Sequence, residues 1–341
     1  MIEYTKLKNN DRKVLRDILP LPKPFTLLIE PSSLCNFKCV QCFQSIPGTD
    51  FSTSRTNMDM DCFNRIIDDM KQWKGDKLKV LKLAMYGEPL VNPNFAEMLR
   101  IAREADIAER IETTSNVSLL TGDISEKLVE YGMDYIRVSI YSPLQEKHAK
   151  VTQNDIDIHK IHDNLQKLQQ IKRDAKKDRP FVAVKMLDTF NKEENDLFLK
   201  LYGDVADELY IDQPHNWIAH EDKSFIKSLY NEDTEKAESL LAENSEKRIA
   251  CSMPFFTLGI RSNGDIAPCC IDWPGSTTLG NVYHDNLQQL WQGEKMYDFW
   301  KMQLEDRKNE NKSCRNCEVF ASRYYTRDNI DGFPVEKLHF N

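Results

Sequence analysis

The stretch Phe25-Thr-Leu-Leu-Ile-Glu30-Pro-Ser-Ser-Leu-Cys35-Asn-Phe-Lys-Cys39-Val-Gln-Cys42 decides how this chain is read. Its first six residues have strand composition, and the strand leads straight into three cysteines spaced C-x3-C-x2-C. A closed structural zinc site wants four ligands, often two C-x2-C pairs, and the fourth thiolate is missing from this neighbourhood. Three cysteines on a 4Fe-4S cluster leave one iron open, and an open iron binds a further ligand. On spacing alone, a zinc knuckle or three unrelated buried thiols remain the alternatives.

The segment from Glu30 to Phe43 resembles the cluster loop of the radical S-adenosylmethionine (SAM) enzymes. The resemblance implies that Cys35, Cys39 and Cys42 hold a 4Fe-4S cluster whose open iron chelates the amino and carboxylate groups of SAM. An electron from that cluster then cleaves the sulfonium to a 5′-deoxyadenosyl radical, so the cofactor carries the hard chemistry and the protein positions it. Phe37 and Gln41 fall among the implied cofactor-binding residues. Gln41 stands where the family often has an aromatic residue.

Composition bounds the rest. The chain has 341 residues, 40% of them hydrophobic, enough for one large or two modest domains with a buried core. No apolar run reaches transmembrane length and the charged N-terminus does not read as a signal peptide, so no membrane role is expected. Nine cysteines, mostly clustered, suit a reducing cytoplasm better than a disulfide framework. The net charge of −8, with Lys and Glu interspersed on solvated helices, gives no general nucleic-acid surface.

Along the chain, strand and helix signals alternate. Helical periodicity covers 59–73, 94–106, 123–131, 156–174 and 192–202, and strands are expected at 78–85, 110–114, 134–140, 180–187 and 207–212. Residues 43–57 read as a long loop. Such a series implies a parallel sheet with right-handed crossovers. The resemblance favours a partial (β/α)6 TIM-like barrel, α/β in class, followed by a small C-terminal α+β auxiliary cluster domain. The expected divisions are an N-terminal extension (1–24), the barrel (25–215), a helical bridge (216–250), the auxiliary domain (251–320) and a tail (321–341).

Ligands in such sheets gather beyond the carboxyl ends of the strands. The second strand ends in Tyr86-Gly87-Glu88-Pro89, similar to the family's Gly-Gly-Glu-Pro motif with Tyr in place of the first Gly. By resemblance Gly87, Glu88 and Pro89 bind the SAM amino group, and Ser115, Asn116 and Ser139 contact its ribose or carboxylate. A family arginine further on is replaced by Thr152-Gln153, and Lys150 or Lys185 is the candidate substitute cation.

A second cysteine group follows. Asn263-Gly264 between two apolar runs is a strong hairpin signal, and Leu287, Leu290, Trp291, Tyr297, Trp300 and Leu304 mark a core-facing helical stretch. Taken alone, four thiolates suit zinc and Fe-S equally. The order Cys251, x17, Cys269, x44, Cys314, x2, Cys317 is similar to the twitch form of the SPASM auxiliary domain, which implies one additional 4Fe-4S cluster. Neighbouring strand residues face opposite ways, so Cys269 and Cys270 are not expected on the same cluster.

The resulting expectation is a radical SAM oxidoreductase that dehydrogenates a carbohydrate, an aminocyclitol or a similar small polar molecule. It draws electrons from a donor such as flavodoxin or ferredoxin. His215, in His215-Asn216-Trp217, is the candidate proton acceptor, and Lys185 is carried as a candidate catalytic residue. A sugar epimerase, with Cys270 as hydrogen donor, and a peptide or protein maturase are the alternatives.

Overall fold

A computed structural model describes residues 13–45, 55–212, 248–315, 317 and 325–340. Six strands, β1 (Thr26–Ile29), β2 (Val80–Leu83), β3 (Ile111–Ser115), β4 (Tyr135–Ser139), β5 (Phe181–Leu187) and β6 (Glu208–Asp212), pair in parallel in chain order. Between them run α1 (Met60–Gln72), α2 (Phe95–Ala105), α3 (Gly122–Glu130), α4 (Gln145–Thr152), α5 (Ile158–Asp174) and α6 (Lys192–Tyr202). This is the mixed α/β, parallel-sheet architecture expected of a partial (β/α)6 barrel.

The helices form where amphipathic spacing meets a cap. In α1, Cys62, Phe63, Ile66, Ile67 and Met70 fall on one buried stripe, and Asp59 starts the helix by accepting the Cys62 N–H at 2.7 Å. Thr121 and Asn191 cap α3 and α6 in the same way. The expected helices and strands lie within a few residues of the observed ones. The short helix α4 was absent from the expectation, because only His148 and Thr152 of its eight residues are buried.

The hairpin signal at Asn263-Gly264 also holds, with Gly264 in the left-handed region at φ +86°. The hairpin does not form a sheet of its own. Strand β7 (Thr257–Ile260) pairs in parallel with β1, and β8 (Asp265–Ala267) and β9 (Gly280–Asn281) continue antiparallel. One nine-stranded sheet results, in the order β6-β5-β4-β3-β2-β1-β7-β8-β9. Helices α7 (Leu287–Trp291) and α8 (Glu294–Leu304) follow, then a one-turn α9 (Lys312–Arg315). Trp291 and Trp300 are buried edge-to-face, as expected for core. Their indole N–H groups donate to the Leu21 carbonyl at 2.7 Å and the Pro254 carbonyl at 2.9 Å. Among the described residues, no helix is long and apolar enough to cross a membrane.

Backbone contacts seat the cysteine loop that follows β1. The Lys38 and Val40 N–H groups donate to the Thr152 and Val151 carbonyls at the end of α4, at 2.9 and 2.8 Å. Those carbonyls are the ones a helix terminus leaves unpaired. On the other side, the Glu88 N–H donates to the Leu34 carbonyl at 2.8 Å. Gly87 lies so close to the loop that a Cβ there would meet the Ser32 and Leu34 carbonyl oxygens at 2.3 and 2.4 Å. At the base of the loop, Glu30 is fully buried and accepts the Ser262 N–H at 2.9 Å, and burial pushes its carboxyl up to about 7.

Two outcomes follow. Gly87→Ala must displace loop backbone, so it is expected to cost about 1–3 kcal/mol in urea unfolding and to lower the iron retained after reconstitution. Because the folded state holds the Glu30 proton more tightly than the unfolded chain, Glu30 contributes stability at low pH that is lost as pH rises from about 4.5 through about 7. Wild type should therefore lose stability relative to Glu30→Gln across that window. A pH-independent difference between the two proteins would show that Glu30 stays ionised throughout.

Candidate functional site

The carboxyl ends of β1–β5 open into one cleft of about 1410 Å³. Drug-sized ligand pockets run from about 300 to 1,000 Å³, so the cleft has room for two small molecules at once. Cys35, Cys39 and Cys42 line it, together with Phe37, Gln41, Gly87, Glu88, Ser115, Asn116, Ser139, Lys185 and Cys270. Pro89 is buried in the turn behind Glu88 and is not on the cleft wall. His215, Asn216 and Trp217 lie outside the described residues, as do most of the expected bridge and the centre of the 43–57 loop.

Several residues expected to contact a cofactor spend their polar atoms on one another. The Glu88 carboxylate accepts from Ser115 Oγ at 2.7 Å, from the Asn116 N–H at 2.8 Å and from the Leu90 N–H at 3.1 Å. Burial is the main influence on it and raises its carboxyl above the ordinary range, against the pull of those donors. Asn116 Nδ2 donates to Asn36 Oδ1 of the cysteine loop at 3.1 Å, and Asn116 Oδ1 accepts from the Ser118 N–H and hydroxyl. Glu88, Ser115 and Asn116 therefore brace the ends of β2 and β3 against the loop. Phe37 is likewise packed edge-on against Tyr141 and His148.

The tyrosine that replaces a glycine in the Gly-Glu-Pro stretch has a visible use. Tyr86 packs edge-to-face on Phe43 at 5.4 Å, and Phe43 stacks on Trp273 at 5.2 Å. This trio joins the cysteine loop, the end of β2 and the C-terminal region. Gln44, unremarked in the sequence, donates to the Ser33 and Tyr86 carbonyls at 3.0 and 3.3 Å and locks the same junction.

Cys251, Cys269, Cys314 and Cys317 line a second, small cavity. Asp272 shapes its rim. It accepts from the Ser313 hydroxyl and from the Ser276 and Thr277 N–H groups at 2.8 and 2.9 Å, and it pairs with the buried Arg261 at 3.3 Å. Cys269 and its neighbour part company, since Cys269 lines this cavity and Cys270 lines the large cleft. Their thiols still influence one another: Cys270 is the first cause, and burial the second, of the strong upward push on Cys269.

Both cysteine sets fit iron–sulfur ligation. Burial pushes the Cys35, Cys39, Cys251 and Cys314 thiols up to about 12 and Cys42 to about 11, so bare thiolates are disfavoured and a cationic cluster core is the natural counter-charge. Donors already point at the sulfurs. The Phe37 N–H reaches Cys35, the Ile271 N–H reaches Cys269 and Gln303 Nε2 reaches Cys314, each at 3.4 Å. Hydrogen bonds to cluster sulfurs are one lever on a cluster's potential. Among the described residues, no three Cys, His, Asp or Glu side chains converge as ligands of a single ion would. A cubane distributes its cysteines over different irons and does not need that convergence. No disulfide joins any of the nine cysteines.

Comparison with known proteins agrees with this geometry. Residues 29–183 match the radical SAM superfamily and residues 251–318 match SPASM, the iron-sulfur cluster-binding domain. A cofactor-modifying protein for the tungsten-containing aldehyde ferredoxin oxidoreductase of Pyrococcus furiosus is 28% identical over 163 residues, covering 48% of this chain and 43% of its own. The SAM-dependent 2-deoxy-scyllo-inosamine dehydrogenase of Niallia circulans is 23% identical over 77 residues, covering 23% of this chain and 31% of its own. These matches span less than half the length of either relative. The crystal structure of BtrN in complex with AdoMet and 2-DOIA superposes with a TM-score of 0.54 at 18% identity, covering 86% of this chain and 92% of that one. The chain belongs to the radical SAM superfamily and carries a SPASM iron-sulfur cluster-binding domain over residues 251–318.

Proposed function

We propose that this chain is a SAM-dependent radical oxidoreductase that dehydrogenates a carbohydrate, an aminocyclitol or a similar small polar alcohol. The observation that carries the reading is the split between Cys269 and Cys270, which sets the four-cysteine cavity directly behind the wall of the large cleft. An electron acceptor held by Cys251, Cys269, Cys314 and Cys317 then adjoins the substrate. When bound, the clusters and SAM supply a 5′-deoxyadenosyl radical to take a hydrogen atom and an acceptor for the electron left behind.

This chain's residues do the positioning. Cys35, Cys39 and Cys42 would hold the SAM-binding cluster on the cleft wall, and the Gly87–Glu88–Ser115–Asn116 brace fixes the loop that carries them. Phe43, Tyr86 and Trp273 pack on one another where the cysteine loop meets the C-terminal region. The alcohol loses one hydrogen atom from carbon, one proton from oxygen and one electron, which together make a ketone. Cys270 is not required in that balance. A small electron carrier such as flavodoxin or ferredoxin is the expected reductant, and a reducing cytoplasm suits the exposed chemistry of both clusters.

Reconstituted protein is expected to bind about eight irons per chain, two cubanes of four. Replacing Cys35, Cys39 and Cys42 together by Ala should halve that and abolish SAM cleavage. Iron near four per chain in wild type, with zinc making up the remainder, would remove the auxiliary cluster. Surviving cleavage in the triple variant would overturn the assignment of the loop.

Oxidation and epimerisation separate at Cys270. Oxidation leaves a product lighter by two hydrogens, puts no solvent deuterium on carbon and tolerates Cys270→Ala. Epimerisation must return a hydrogen, and a thiol that exchanges with solvent is a suitable donor. A product of unchanged mass carrying one carbon-bound deuterium, lost in Cys270→Ala, would establish the epimerase instead.

A further inference from the structure

Below the strand ends, the inner face of the sheet carries polar groups that the reading above leaves unused. Side chains alternate along each strand, and the register sets Lys82 beside Glu112, Thr114 beside Arg137 and Ser139 beside Lys185. Lys82, Thr114, Arg137 and Lys185 all line the large cleft. They form a belt across β2, β3, β4 and β5, one or two residues before the last residue of each strand.

Two members of this belt are conspicuous. Thr114 Oγ1 and Arg137 Nε are buried and have no hydrogen-bond partner, although the two residues are register neighbours. A buried donor or acceptor left unpaired is costly, and a ligand atom that pairs with it removes that cost. The Arg137 guanidinium also bonds the Tyr210 side chain, which anchors it and leaves its Nε–H edge unused. A guanidinium edge beside a hydroxyl, with an ammonium group on the strand to either side, is a donor set for a carboxylate or a phosphate.

The charge balance points the same way. Among cleft-lining residues, Lys and Arg outnumber Asp and Glu seven to three, in a chain whose net charge is −8. Counter-charges are present on or near this face, but they lie outside the cleft lining. Glu112 bonds Arg110 at 2.8 Å, Asp212 is 3.5 Å from Lys185 and Glu194 is 2.6 Å from Lys147, and none of these three carboxylates lines the cleft. Of the three acids that do line it, Glu88 is occupied by the brace. SAM does not account for the excess, because its sulfonium and ammonium outweigh its single carboxylate.

We propose that the belt of Lys82, Thr114, Arg137 and Lys185 binds an oxyanion carried by the substrate, a phosphate ester or a carboxylate. The inference rests on the cleft being the substrate site, and it narrows the polar substrate to an anionic one, disfavouring a cationic aminocyclitol. The oxyanion sits deep in the barrel and holds the reacting carbon up toward the cysteine loop.

The test is calorimetric titration of anaerobic, iron-reconstituted protein with inorganic phosphate, acetate and glycerol, with and without saturating SAM. Phosphate or acetate is expected to bind in the presence of SAM and glycerol is not; the tighter of the two anions tells ester from carboxylate. Arg137→Gln and, separately, Lys82→Gln should each weaken that anion at least tenfold, with Arg137→Lys intermediate, while iron content and SAM affinity match wild type. Two independent variants keep the result readable if one of them folds poorly. The proposal falls if neither anion binds better than glycerol, if both variants bind as wild type does, or if SAM competes with the anion, which would make the belt the seat of the SAM carboxylate. Turnover is not needed for this measurement. Anion binding by a protein that oxidises no alcohol would sink the oxidoreductase reading alone, and oxidation of a neutral sugar by a protein that binds neither anion would sink the belt alone.

Discussion

Strand β1 is hydrogen-bonded along both edges, and the rest of the molecule is arranged around that fact. Its four residues pair with β2 on one side and with β7 on the other, in parallel register throughout. Leu27 and Ile29 are fully buried as a result. A strand held on two sides has little freedom at its carboxyl end, and the cysteine loop leaves from that end. The geometry of three thiolates is thus set by about a dozen residues of sheet rather than by the loop itself. The same pairing brings the β7–β8 hairpin, and with it Cys269 and Cys270, to the loop's flank.

Polar atoms near the loop divide into those that hold the protein together and those left for a ligand. Glu88, Ser115, Asn116, Asn36 and Gln44 belong to the first group, because their hydrogen bonds close on each other or on loop backbone. Thr114 Oγ1 and Arg137 Nε belong to the second. The distinction matters because preorganisation needs both: groups that face the reactants and a rigid layer that keeps them from relaxing.

Much of this was legible in the sequence. Hydrophobic periodicity located α1, α2, α3, α5 and α6 because each buries a regular stripe, and the cysteine spacings separated two ligand groups. The short helix α4 lacked such a stripe and was invisible, yet its terminal carbonyls grip Lys38 and Val40. The β1–β7 pairing joins residues more than two hundred apart, beyond the reach of any local pattern. The donors around Glu88, Ser115 Oγ and the Asn116 and Leu90 N–H groups, are not legible in the sequence, since a carboxylate does not announce which donors will surround it. Lys82 and Arg137 look like solvated strand residues until the sheet curls and places them inside.

The shared sheet bears on how this protein is cut and recombined. A family profile drawn over residues 29–183 and another over 251–318 suggest two portable modules. Separating them would strip β7 from β1 and expose a short, apolar, parallel-ready row of backbone donors and acceptors at the strand that feeds the cysteine loop. Such an edge invites pairing with other chains. A chimera that exchanges the C-terminal region therefore has to supply a strand matching Thr26–Ile29 in register, or it leaves that edge unpaired.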